Sequence, residues 1–393
     1  MKNFKLIRLN KSLTKLLGFI ALTLPCYSYA TIELTEDLRL SGFGSTSATK
    51  SDNKTPIFLN RKVTDEACYD CDTIFGLQLD FDFLNSFTSS VQVVKRTQDE
   101  FSSPEIEWAY IGYQSENFDF KAGKLRLPLF LHSEYFFVAQ AYTEARPNQE
   151  VYDGVFGVTS FTGANTTWNK VLSDSLQLSI TPYYGGNYEQ EAERGLLNYT
   201  FDISQIYGAA IDLSGDNYRV HLNALHVEFD LSLQVANVPT PVVPDLDANA
   251  YSLGGEYDLS QTTFTAEAYK TDDALNWYGS VKHRFGALTP YITYGKSSGK
   301  ASGYNHSITT GIRYDLLNNV SLNLEYQQVN MDKNMYLMRY PDGSYIRDPN
   351  GNYIPDPDSP IGQFELSPLW ANPSLDGTKV DAQITTFMVS FIF

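Results

Sequence analysis

Arg219, His221 and Asn223 stand two apart, with Val220, Leu222 and Ala224 between them. The same rhythm sets Asp80 and Asp82 among Phe75, Leu77, Leu79, Phe81 and Phe83, and Glu325 among Leu322, Leu324 and Tyr326. A period of two puts the charged set on one face of an extended chain and the apolar set on the other. Charges spaced this way form fixed rows, and the chemistry open to them is attraction and exclusion of solutes. Arg39, Arg96, Lys121 and Arg313 join the basic rows; Asp119, Glu267 and Asp315 join the acidic ones. Catalytic constellations are thin. The histidines, His132, His221, His226, His283 and His306, form no H-E-x-x-H pair. No nucleophile elbow and no enzyme activity are expected.

Three further groups lie off the alternating stretches. The segment "LPLFLHSEYFFVAQAYTEARPNQEVYD", residues 127–153, holds Phe130, Tyr135, Phe136, Phe137 and Tyr142 beside His132, Glu134, Glu144, Arg146, Glu150 and Asp153. So many aromatic rings need cover, and packing against an inner wall would supply it. Cys68 and Cys71, in "EACYDCD", lack a second cysteine pair for zinc, and a small loop-stapling disulfide is expected. In residues 331–378, Asp348, Asn350, Asn352, Asp356 and Asp358 alternate as the oxygen ligands of calcium loops do, but without the terminal Glu of an EF-hand. A Pro/Gly/Asp-rich outer loop is the stronger reading there. No metal and no cofactor is expected.

What must position these groups follows from the ends and the totals. Lys2, Lys5, Arg8, Lys11 and Lys15 precede the apolar run "LLGFIALTLP" and the small residues Ser28 and Ala30, the pattern of a secretory signal peptide over 1–30 that takes Cys26 with it. The net charge is −17, and losing that basic segment makes the remainder more acidic still, which disfavours nucleic acid as a partner. After residue 30 no apolar window is long enough for a transmembrane helix. No linker divides residues 31–393, which are expected to form one domain.

Period-two alternation dominates that domain. Strands are expected at 33–48, 73–84, 87–98, 105–114, 117–126, 154–170, 175–184, 198–213, 217–229, 249–258, 262–271, 275–285, 288–297, 305–316, 320–330 and 379–393. Tight turns at "LNS", "QSEN", "LSDS", "SGDN", "LSQ", "GAL" and "LLNN" join alternate pairs, and every other connection is expected to be longer. Short turns alternating with long loops, and an even strand count, mark a transmembrane antiparallel β-barrel. Half of each strand faces a polar interior, which explains a mean hydropathy of −0.28. Tyr183, Tyr184, Tyr257, Tyr291, Tyr294, Tyr314 and Tyr326 are expected in interfacial girdles. In the last strand Asp381, Gln383 and Thr385 share parity with Phe387, Val389 and Phe391, so a bulge or a barrel rim must reconcile the two faces.

The signal-like start, the barrel rhythm, "LRLSGFGS" at 38–45 and the terminal "FMVSFIF" resemble the outer-membrane porins of Gram-negative bacteria, and "KLRLPLFLHSEY" and "ARPNQEVYD" look like a porin-like group of marine gammaproteobacteria. The resemblance spans 31–393 and implies a sixteen-stranded barrel, generally a homotrimer, held in outer-membrane lipid and lipopolysaccharide. It implies passive diffusion of small hydrophilic solutes and ions through a wet pore. It also implies that the third long connection, 127–153, folds inward as a constriction, with Glu134, Glu144 and Arg146 as the constriction charges. The competing role for those three is pinning the loop to the wall by ion pairs. Arg39, Asp80, Asp82, Arg96, Lys121, Arg219, Glu267, Arg313 and Glu325 are expected to line the pore. A non-conducting barrel serving as adhesin or surface receptor is the alternative.

Overall fold

The computed structural model describes residues 31–53, 61, 63–84, 86–97, 104–153, 158–194, 197–235, 238–239, 242–272, 274–299, 303–333 and 381–393. The chain is a closed antiparallel β-barrel of sixteen staves. They are β1 (Leu38–Ser51), β2 (Ile74–Phe83), β3 (Phe87–Lys95), β4 (Glu105–Gln114), β5 (Phe118–Arg126), β6 (Ser160–Ser173) and β7 (Leu176–Gly185, resumed as Tyr188–Arg194). There follow β8 (Leu197–Gly215), β9 (Tyr218–Val235), β10 (Val243–Leu259), β11 (Thr262–Thr271), β12 (Leu275–His283), β13 (Leu288–Gly299), β14 (Gly303–Leu317), β15 (Val320–Lys333) and β16 (Asp381–Ile392). Both halves of β7 pair with β8. Two-residue strands at Ile32–Glu33 and Val238–Pro239 hang on β1 and β9. The ring closes where β16 pairs with β1, from Ile384 opposite Ser51 to Ile392 opposite Phe43. Closure leaves no unpaired edge, as a bilayer demands.

Side-chain parity decides the faces. Phe75, Leu77, Leu79 and Phe81 lie on the outer surface of β2, and Leu222, Leu253, Ile292 and Leu324 continue the apolar belt round the barrel. Covering each such side chain with hydrocarbon stabilises by about 1.5–3 kcal/mol. On the inner face of β15, Ser321, Asn323 and Glu325 are buried.

The terminal stripe keeps one parity from Asp381 to Phe391 without a register shift. Phe387 and Phe391 belong to the belt; Asp381, Gln383 and Thr385 are the same outer face carried to the rim. Ala382 and Ile384 point inward onto Val63 and Val329. The rim reconciles the pattern and no bulge is needed. Phe393 closes the seam by exchanging backbone hydrogen bonds with Gly42, and its ring lies where a side chain at 42 would stand.

The expected tight turns all lie at one end, between β2 and β3, β4 and β5, β6 and β7, β8 and β9, β10 and β11, β12 and β13, and β14 and β15. The other end departs from expectation. The connections after β1, β5 and β15 are long, but those between β7 and β8, β11 and β12, and β13 and β14 are nearly as short as the turns. Between β7 and β8 the cause is ladder propagation: β7 resumes as Tyr188–Arg194 along a β8 of 19 residues, so paired strand replaces loop. β15 likewise runs to Lys333, so 331–333 is strand rather than loop. The candidate calcium ligands at 348–358 and the signal-like 1–30 lie outside the described residues. Of the girdle tyrosines, Tyr184, Tyr257, Tyr294, Tyr314 and Tyr326 are outward, but Tyr183 and Tyr291 are buried. Tyr183 adjoins Tyr184, so one of the two must face inward; its hydroxyl donates to Asn223.

Candidate functional site

The connection between β5 and β6 folds into the barrel. It leaves β5 along the inner wall, where the Pro128 carbonyl accepts from Asn223 of β9 at 2.8 Å and the Leu129 carbonyl accepts from Ser252 of β10. On β11, the Leu131 amide donates to Glu267 at 2.8 Å. The Leu131 side chain fills the place of a side chain at Gly254, so the bare backbone there admits the loop. The chain then crosses the lumen. Phe137 packs with Phe43 of β1 and Val94 of β3. β3 and β11 are eight staves apart in a ring of sixteen, hence opposite walls. Continuing, Gln140 accepts from Ser321 of β15 and Ser390 of β16 at 2.7 and 3.0 Å. A short helix, Gln149–Tyr152, capped by Asn148, returns to β11, where the Tyr152 hydroxyl donates to Glu267 at 2.9 Å.

The loop is therefore held at two shores. The β9–β11 shore is a hydrophobic cluster of Leu129, Phe130, Val151 and Tyr152 with Leu225, Ala250, Tyr269 and Tyr278. Its polar contacts run to backbone carbonyls and to one carboxylate, Glu267, which accepts from the Leu131 amide and from the hydroxyls of Tyr152 and Tyr278. The β14–β16 shore is ionic. Arg146 donates to Glu325 at 2.9 Å, to Asp72 at 2.7 Å and to Thr386 at 2.9 Å, and only 9% of it is exposed. Arg313 donates to the carbonyls of Tyr142 and Gln140. Asn323 donates to the Thr143 carbonyl at 2.7 Å. Burial alone would raise the Asp72 carboxyl, but Arg146 and Arg61 reverse this and hold it well below the usual carboxylate range.

Of the charges expected from parity to line the lumen, nearly all are paired. Arg39 meets Asp82 at 2.7 Å, Lys121 meets Asp119 at 3.3 Å, Arg219 meets Asp212 at 3.0 Å and Arg313 meets Asp315 at 2.7 Å. Asp80 accepts from Ser90 at 2.6 Å. Arg96 is buried against Glu107 and Glu105, and its guanidinium stacks over Phe137. Glu267 and Glu325 face the loop and are its anchors. Of the three proposed constriction charges, Arg146 is enclosed in ion pairs, so its geometry is that of the pin. Glu144 is half-buried, accepts from Ser280 at 2.9 Å and borders a small solvent-connected cleft with His132 and Lys282. Glu134 is exposed and, among the described residues, makes no hydrogen bond or ion pair; its charge acts on Lys121 and Arg126.

Sequence reasoning missed Asp72, Glu107, Arg126, Glu256 and Lys282. Glu107 carried a usable signal, since it alternates with Ile106 and Trp108. Asp72 had none beyond its place after Cys71. The Cys68–Cys71 disulfide is present. Gly295, Ser297 and Gly299 do have the spacing of a nucleophile elbow, contrary to expectation. They lie inside extended β13 rather than on a strand-to-helix turn, and Ser297 donates to Asn276.

A closed barrel with an apolar outer belt, a charged inner wall and a loop folded into its lumen defines the class of outer-membrane porins. Known proteins agree. The family of Gram-negative porins matches residues 59–334, and the chain belongs to that family, whose place is the outer membrane. No curated protein matches its sequence. Among solved structures it is similar to OmpF of Salmonella typhi in complex with daunomycin, at 14% identity and a TM-score of 0.54 over 92% of this chain and 100% of that one. It is similar to the anion-selective porin from Comamonas acidovorans at 10% identity and a TM-score of 0.54, over 91% and 99% of the chains. It is also similar to the trimer form of OmpT of Vibrio cholerae at 10% identity and a TM-score of 0.51, over 91% and 99%. At such identities the likeness is one of fold.

Proposed function

We propose that this general porin passes small hydrophilic solutes and ions by passive diffusion, through a lumen narrowed by residues 127–153. The observation that carries this is the loop held inside the barrel with the Glu134 carboxylate exposed and its charge felt at Lys121. Fixed charges at a narrowing sort solutes by sign and size. Glu134 and Glu144 are the constriction charges, and Arg146 holds the loop that bears them. Family membership supports a channel rather than an enzyme. The trimer form of OmpT, similar in fold, supports a homotrimer; the net charge of −17 and the apolar belt support lipopolysaccharide and lipid as surroundings; residues 1–30 serve as the export signal.

The test is purified protein in liposomes and planar bilayers. Swelling in small sugars and ohmic unitary steps are expected. A second reading, a barrel that conducts little and acts at the surface as adhesin or receptor, is favoured by the loop's contacts with opposite walls. Conductance near zero in an otherwise folded barrel decides for it.

A further inference from the structure

The first long connection, between β1 and β2, contributes one residue to the anchoring of the third. That residue is Asp72, which follows the Cys68–Cys71 disulfide directly and also pairs with Arg61 at 3.3 Å. Cys68 exchanges two backbone hydrogen bonds of 2.8 Å with Thr49, so the segment extends the sheet along the upper half of β1. The bridge to Cys71 folds the intervening residues into a tight loop and turns the chain inward at Asp72. There the carboxylate accepts from Ser47 at 2.8 Å, from Thr49 at 2.9 Å and from Arg146 at 2.7 Å. Asp72 is 3% exposed, whereas Cys68 and Cys71 are half-buried and within reach of a small reductant.

We propose that the Cys68–Cys71 disulfide is a positioning element for the constriction: through Asp72 it fixes Arg146 and so holds the third loop across the lumen. Asp72 is the positioning residue, and Arg146 transmits its placement to the loop. The inference rests on the reading of 127–153 as the constriction. Its physical basis is the shortness of the path. Asp72 follows Cys71 directly, and without the bridge the backbone at 68–72 regains freedom that must be lost again to deliver the carboxylate. The Arg146 guanidinium would then keep Glu325 but lose a partner in a buried site, where an incompletely paired charge is costly.

The experiment is single-channel recording of the full-length protein before and after a phosphine reductant. The phosphine takes the disulfide to two thiols and becomes the phosphine oxide, its oxygen drawn from water. Reduction should raise unitary conductance and current noise. The double variant C68S/C71S should show the raised values from the start and ignore the reductant. Asp72→Asn should match it in the oxidised state, and Asp72→Glu, which keeps the charge, should return towards the parent. Heat-modifiable gel migration should report an intact barrel throughout. If Arg146→Ala raises conductance while reduction and C68S/C71S leave it unchanged, the disulfide is no positioning element and the proposal is overturned. If Arg146→Ala too changes nothing, the constriction reading fails first and the proposal falls with it.

Discussion

The two shores of the third loop use opposite chemistries for one task. At β9–β11 the loop lies on an apolar cluster, and its backbone meets Asn223, Ser252, Arg219 and the single acceptor Glu267. At β14–β16 it is clamped by Arg146 between Asp72 and Glu325, and by Arg313 on its carbonyls. Apolar contacts are many and individually replaceable, so the first shore should yield gradually. A buried ion pair concentrates its energy in a few atoms, so removing one partner strands the other. The difference suggests a loop with a fixed base at β9–β11 and a releasable edge at β14–β16.

Breaking the ionic shore should give the largest effect. Arg146→Ala strands Glu325 and leaves Asp72 to Arg61 alone, at a cost of about 3–5 kcal/mol. Hydrogen exchange should show the amides near 140–146 losing protection together, with those of β15 retained. Protection lost equally on both shores would contradict the comparison. A smaller effect is expected at the other shore. Tyr152→Phe removes the hydroxyl that donates to Glu267 and accepts from the His132 amide, at roughly 1–3 kcal/mol. Unfolding in denaturant should register this without a change in single-channel conductance.

Glu134→Gln sharpens the contrast from the side of function, since Glu134 belongs to neither shore. The reversal potential in a salt gradient should move towards anion preference, with the denaturation midpoint unmoved. A midpoint that falls would make Glu134 an anchor.

Acidification should have the least effect over the ordinary range. The Asp72 carboxyl is depressed by Arg146 and Arg61, so its stabilisation is present above the unfolded value of about 3.9 and is lost only as pH falls through the lower folded value. Burial pushes the His132 imidazole down to about 4, so it is neutral in the folded barrel from pH 8 to pH 5. His132 should therefore contribute no step in conductance across that range. A step near pH 6.5 that His132→Gln abolishes would mean that His132 is more open to water than its packing implies.

Much of this was legible in the residues. The rows Phe75–Phe83 and Val320–Tyr326 set their own faces, because strand parity leaves each side chain only two directions. The stave count followed from turns such as "SGDN" and "LLNN". Less legible was where ladders stop: β9 runs past its expected end at 229 to Val235, because its backbone pairing with β8 continues that far. The roles within the charged rows were also hidden. Arg146 and Glu134 look alike as loop charges, yet one is enclosed by partners from β15, β16 and the first connection and the other meets solvent.

By itself the sequence determined the barrel, its lipid-facing belt, its polar lumen and the loop that needed burial, since these depend on periodicity and on the cost of exposing apolar rings to water. Only the tertiary structure decided which charges anchor and which face solutes. That choice depends on pairings such as Asp72 with Arg146 and Arg146 with Glu325, between residues distant in the chain, and separation along a chain carries no information about distance once a sheet has closed on itself.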